Sequence, residues 1–89
     1  MAIYTKDPEA KLDYGFNWEN WLANGESIIS SIWTVPEGLT KITDSFTGIL
    51  TTIWLLGGIV GINYDVVNHI ITSQGREDDR TIRIKVRQR

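Results

Sequence analysis

Apolar and polar residues alternate at period two along most of this chain, the spacing of strands that bury one face. Leu12, Tyr14, Phe16 and Trp18 fall on one side while Asp13, Gly15 and Asn17 fall on the other. Turn formers follow, ending in the strong pair Asn24-Gly25. Residues 26–35 predict a second strand, with Ile29, Ser31, Trp33 and Val35 on one face and Ile28, Ser30, Ile32 and Thr34 on the other. Pro36-Glu37-Gly38 closes it with turn chemistry. Residues 39–43 read as a short strand, Asp44-Ser45 as a turn, and residues 47–55 as a β-branched strand around Trp54 that ends at Gly57-Gly58. Residues 62–73 form a long alternation in which Ile62, Tyr64, Val66, Asn68 and Ile70 oppose Asn63, Asp65, Val67, His69 and Ile71. A polar hairpin loop is predicted over residues 74–79. The final strand, residues 81–87, points Ile82, Ile84 and Val86 inward and Thr81, Arg83, Lys85 and Arg87 outward.

Six or seven short strands at spacings of about 8 to 12 residues predict an all-β chain folded as a β-sandwich. At 89 residues there is room for one domain. We assign residues 12–89 to the sandwich and residues 1–11, with Pro8 and few core-type side chains, to an N-terminal arm that orders against a neighbour. The apolar stretch 49–62 is too short for a membrane helix, which needs about 20 residues. It also contains Thr51, Thr52 and three glycines.

Composition narrows the functional classes. There is no cysteine, hence no disulfide frame and no thiolate metal site. A formal charge of -2 gives no global attraction to nucleic acid or anionic membrane. The first residues lack the basic and apolar regions of a signal peptide, which predicts a protein made and used without export.

Candidate chemistry is sparse. His69 is the only histidine, and Asp65, four residues away on the same strand face, lies about 13 Å along the strand. The acids Glu77, Asp78 and Asp79 match no calcium-loop spacing and read as a solvated loop balancing Arg76 and Arg80. Gly57-Gly58-Ile59-Val60-Gly61 lacks the Lys-Ser/Thr ending of a phosphate-binding loop. No catalytic residue, cofactor or metal ligand is expected.

Two features exceed what a bland domain needs. Residues 1–30 hold five acids against two lysines, whereas residues 76–89 hold six basic groups against three acids. The basic ladder Arg83, Lys85, Arg87 and Arg89 fits either a protein contact or a charged edge that resists pairing. It lacks the interleaved aromatics of nucleic-acid binders. Aliphatic residues also stand on both faces of several strands, among them Ile28, Ile32, Ile42, Ile49, Leu56, Ile59, Val67 and Ile71. A two-layer sandwich buries one face of each sheet, so the excess predicts a covering partner. Arg83, Lys85 and Arg87 are the candidate polar interface; Ile28, Ile32 and Ile59 are the candidate apolar one.

The runs Lys6-Asp7-Pro8, Leu12-Asp13-Tyr14, Asn17-Trp18-Glu19-Asn20-Trp21-Leu22, Trp33-Thr34-Val35-Pro36-Glu37-Gly38-Leu39, Trp54-Leu55, Gly57-Gly58, Tyr64, Val67-Asn68-His69-Ile70 and Gly75-Arg76-Glu77-Asp78-Asp79-Arg80-Thr81 resemble a family of small bacteriophage virion proteins, the fibre-tail adaptors. The resemblance covers nearly the whole chain. It implies a single immunoglobulin-like β-sandwich of about seven antiparallel strands, without catalysis. It also implies a virion component of the tail or neck, made in the host cytoplasm. There, copies would meet head to tail in a ring and join fibres or other tail components to the tail. Partners would be other phage proteins and neighbouring copies of itself, with no nucleic acid, membrane or small-molecule ligand. The chain departs from the pattern by placing Ile28, Ile32, Ile42, Ile49, Ile59 and Ile62 where the family often has Thr or Ser. The alternative is a carbohydrate- or receptor-binding β-sandwich that uses Trp18, Trp21 or Trp54 for stacking. The expectation for these three rings is burial in the core.

Overall fold

The computed structural model describes residues 2–88 and contains seven strands: β1 (Ala2–Lys6), β2 (Leu12–Asn17), β3 (Ile28–Thr34), β4 (Leu39–Phe46), β5 (Leu50–Gly57), β6 (Asn63–Thr72) and β7 (Glu77–Val86). They make a sheet of four, in the order β1-β7-β6-β3, packed on a sheet of three, in the order β2-β5-β4. Seven strands split four and three is also the count of an immunoglobulin-like sandwich. The slab measures 43 × 21 × 18 Å.

Alternation delivers the core. Ile82, Ile84 and Val86 of β7, Val66 and Ile70 of β6, and Ile53 and Leu55 of β5 are fully buried between the sheets. Each is spaced by two from the next on its strand or stays in phase with it, as one buried face requires. Tyr14, Trp33, Leu39 and Tyr64 complete the larger cluster, and Trp18, Ile28 and Ile70 form a second towards the other end. Between them lies a polar tie across the two sheets. Trp18 Nε1 donates to Thr51 Oγ1 (3.2 Å) and Asn68 Oδ1 (3.3 Å), Thr51 Oγ1 donates to Asn68 Oδ1 (2.7 Å), and Asn68 Nδ2 donates to Ser31 Oγ (3.0 Å).

Several strands depart from simple alternation. A bulge between Ile28 and Ser30 shifts the pairing of β3 on β6, so that Ile28 and Trp33 both turn inward while Ile29 and Ile32 are exposed. The expectation that Ile28 and Ile32 share an outer face is thereby corrected. Asp44-Ser45 is not a turn: β4 runs through it to Phe46, paired with Ile53 and Thr52 of β5, after a bulge between Lys41 and Thr43. The acids of 77–79 lie in β7 and not in a loop. Of the three rings expected in the core, Trp18 is fully buried and Trp21 packs against it, but Trp54 faces outward and Trp33 takes an inner place.

Ala2–Lys6, within the segment set apart as an arm, runs as β1 parallel to β7, with Ala2 opposite Ile82 and Lys6 opposite Val86. It is the one parallel pair among the described residues. Lys6 is wholly buried, and its ammonium donates to the carbonyls of Asp7 (2.9 Å) and Gly57 (2.7 Å), fastening β1 to the opposite sheet. Burial lowers its pKa, with Asp7 opposing the shift.

Candidate functional site

The two outer faces of the slab carry the exposed side chains that the core does not use. On the three-stranded sheet, β5 is central and points Leu50, Thr52, Trp54 and Leu56 outward in a row. Trp54 sits between Asp13 of β2 and Thr43 of β4, and Thr52 between Gly15 and Ser45. A Cβ at Gly15 would fall 2.3 Å from the Thr51 carbonyl oxygen, so only glycine allows the strands this approach. With Asp13 and Thr43 as its cross-strand neighbours, Trp54 is left 37% exposed.

The outer face of the four-stranded sheet is organised by charge. Along β7 its outward residues are Glu77, Asp79, Thr81, Arg83 and Lys85, with the register partners Ile71, His69, Val67, Asp65 and Asn63 on β6. Ile32 and Thr34 of β3 extend the face beside His69 and Val67, and Ile3 and Thr5 of β1 extend it beside Arg83 and Lys85. One end is therefore acidic, the other basic, and the middle weakly apolar.

His69 bridges the acidic end, with Nδ1 2.5 Å from Asp79 Oδ1 and Nε2 2.8 Å from Glu77 Oε1. Those hydrogen bonds, Asp79 first, raise its pKa. The pairing escapes a reading along the strand because it crosses from β6 to β7, and only the register brings Asp79 opposite His69. At the basic end Arg83 grips Asp65 with two bonds, Nε to Oδ1 at 2.9 Å and Nη2 to Oδ2 at 3.2 Å. The guanidinium holds the Asp65 carboxyl below its usual range. Lys85 stands half-buried between Thr5 and Asn63. Arg87, past the end of β7, donates to the Val86 carbonyl (2.8 Å) and to Asn63 Oδ1 (3.4 Å). Met1 of the arm and Arg89 of the basic ladder lie outside the described residues.

The candidate apolar residues separate. Ile28 is 4% exposed and packs with Trp18 and Ile70, so it presents no surface; the bulge is the cause. Ile32 is 55% exposed on the charged face. Ile59 is the most exposed large aliphatic at 62% and sits with Val60 and Ile62 on the loop between β5 and β6, away from Ile32. That loop is braced, since Tyr64 Oη accepts from the Ile59 amide at 3.0 Å and the Gly61 amide donates to the Val86 carbonyl at 2.9 Å.

Between the sheets at the open part of the β7 edge lies a shallow hollow lined by Ala2, Phe16, Asp79, Arg80 and Thr81. Arg80 closes it from within, its guanidinium 4.0 Å from the Trp18 ring centre and bonded to the Asn17 carbonyl at 3.2 Å. No group of three or more His, Cys, Asp or Glu among the described residues is placed to hold a metal ion. The two outer faces of the slab are thus unlike, one carrying the exposed row of β5 and the other graded from acid to base along β7.

No curated protein matches the chain. The family described as podophage GP4 fiber-tail adaptor protein gp77 matches residues 6–85, with the exposed row of β5 and the acidic and basic halves of β7 all inside the matched span. The chain belongs to that family of phage fibre-tail adaptors.

Proposed function

We propose that this protein is a non-enzymatic joint of the phage tail or neck, made in the host cytoplasm, that links fibres or other tail components to the tail in multiple copies arranged as a ring. The observation that carries the reading is the pair of unlike outer faces on one thin slab, in a chain of an adaptor family. An adaptor must bind two things at once, and opposite faces of a sandwich do so without competition. The Leu50–Trp54–Leu56 row would take one partner by apolar contact. Arg83, Lys85, Arg87 and Ile32 belong to the second face, where neighbouring copies meet, and the braced Ile59 loop takes the second virion partner. Ile28 drops out of the interface because it is core.

The test is cosedimentation of the purified chain with the tail-tube protein and the fibre protein of the same phage. Trp54→Glu, on an exposed position, should leave the circular dichroism spectrum unchanged, abolish capture of one partner and spare the other. If wild type captures neither, or Trp54→Glu captures both as wild type does, the adaptor reading falls.

Trp54 beside Asp13 also fits the second reading, a sugar-stacking platform in which the ring packs on a pyranose and the carboxylate accepts from its hydroxyls. The flanking Leu50 and Leu56 favour protein. A quench or shift of Trp emission on adding host surface polysaccharide, absent in Trp54→Phe, would reverse that preference.

A further inference from the structure

We infer that the outer face of the four-stranded sheet docks a second copy of this chain, the two sheets packing face to face about a two-fold axis that crosses the strands at the Val67–Thr81 pair. The argument is charge register. On β7 the outward order is acid, acid, neutral, base, base, from Glu77 to Lys85, with Thr81 at the centre. A copy turned over end for end presents the same list reversed.

Laid on the first, it brings Glu77 against Lys85 of the second copy and Asp79 against its Arg83. On β6 the same operation brings His69 against Asp65 of the second copy, again opposite in sign once the imidazole is protonated. Val67 and Thr81 meet their own equivalents on the axis, where like residues must be uncharged for a two-fold contact to close. Glu77, Asp79, Arg83 and Lys85 each meet an opposite charge, as do Asp65 and His69 once the imidazole is protonated, while Arg87 lies past the end of β7 and is unmatched.

The internal ion pairs do not consume this potential. Arg83 and Asp65 keep 39% and 47% of their side-chain surface exposed, and Glu77 and Asp79 keep 56% and 61%. Asp65 and His69 instead hold the charged groups in position, which lowers the ordering cost of a contact. The four strands, of 5, 10, 10 and 7 residues, at about 3.3 Å per residue and about 4.8 Å spacing give a face of roughly 500 Å². Two such faces bury roughly 1,000 Å², the size of a weak, transient interface rather than an obligate one. The partner acid for the basic half of β7 is thus the first half of β7 itself.

Sedimentation equilibrium of the full chain tests this without any other virion component, so its outcome is separable from that of the adaptor reading. Wild type should pass from monomer to dimer with rising concentration and revert as salt rises, because exposed charges are screened. Glu77→Lys with Asp79→Lys, and separately Arg83→Glu with Lys85→Glu, should each be monomeric alone. Mixed one to one, the two variants should restore a dimer, since the all-basic and all-acidic strands complement each other. Thr81→Arg places two like charges on the axis and should abolish pairing even if the double variants fold poorly. A wild type that stays monomeric at millimolar concentration overturns the inference. So does a dimer that survives Thr81→Arg, or variants that fail to pair on mixing while both show the wild-type circular dichroism spectrum.

Discussion

Asn68 is a fully buried amide on a strand whose other inward residues are apolar or aromatic but for Thr72 at its end, and its cost is offset by the company it keeps. Its oxygen accepts from Trp18 and Thr51 and its nitrogen donates to Ser31 and, at 3.4 Å, to the Ile32 carbonyl. These bonds join both sheets and fix where the Trp18 ring lies. A buried polar network of this kind is stable only when complete, because each orphaned donor or acceptor keeps its desolvation penalty. Asn68→Ala leaves the Thr51 hydroxyl and part of the Trp18 N–H unpaired. It should lower unfolding free energy by about 1–3 kcal/mol in urea titration. An effect within a few tenths of a kcal/mol would show that the tie is incidental to folding.

At the scale of elements, the turn between β5 and β6 depends on Gly58. Its φ is +106°, which L side chains rarely adopt, and a Cβ there would lie 2.6 Å from Val86 Cγ2, itself fully buried. Gly61 has a similar φ of +91° but open space around it. Gly58→Ala should therefore destabilise by roughly 1–3 kcal/mol of strain plus the displacement of Val86, and Gly61→Ala by the strain alone. Thermal unfolding of the two variants should separate them in that order, and equal midpoints would refute the packing argument. The turn was readable beforehand because glycine pairs announce themselves, as were β6 and the second half of β7; the first half of β7 was not, because four successive polar residues, Glu77 to Arg80, read as a loop. β3 was legible as a strand but its faces were not, and β4 was legible only as far as Thr43, since one extra residue at a bulge reverses the phase of everything beyond it, and nothing in the local composition marks the insertion. The same limit applied to the candidate surface. Arg83 and Lys85 were legible from alternation, whereas Ile28 was misplaced by the bulge. The pairing of His69 with Glu77 and Asp79 depends on register between strands, which no single strand encodes.

Over the whole molecule, two titrating clusters set opposite limits on stability. Glu26 lies buried at the end built by residues 18–27 and 73–76, where Arg76 binds both its oxygens, and the Ala23 amide and Thr72 hydroxyl add further bonds. Led by the Arg76 bonds, these partners lower its pKa from 4.5 to about 2. A carboxyl with a depressed folded pKa contributes stability above its unfolded value and loses it as pH falls through the folded one, so this contribution fades between 4.5 and about 2. Asp65, lowered by Arg83, adds to the same acid limb. His69 behaves in the opposite sense. Its pKa is raised by Asp79 and Glu77, so its contribution is complete below 6.5 and is lost as pH rises through the folded value. Stability against urea should then be greatest between about pH 4.5 and 6.5 and decline on both sides. Glu26→Gln should lower the plateau and flatten the acid limb, and His69→Gln should flatten the alkaline limb while leaving the acid one intact. Both variants following the wild-type profile would mean that neither cluster is coupled to folding. The ion pairs of the outer face would then serve the surface alone, holding charges in place for whatever packs against them.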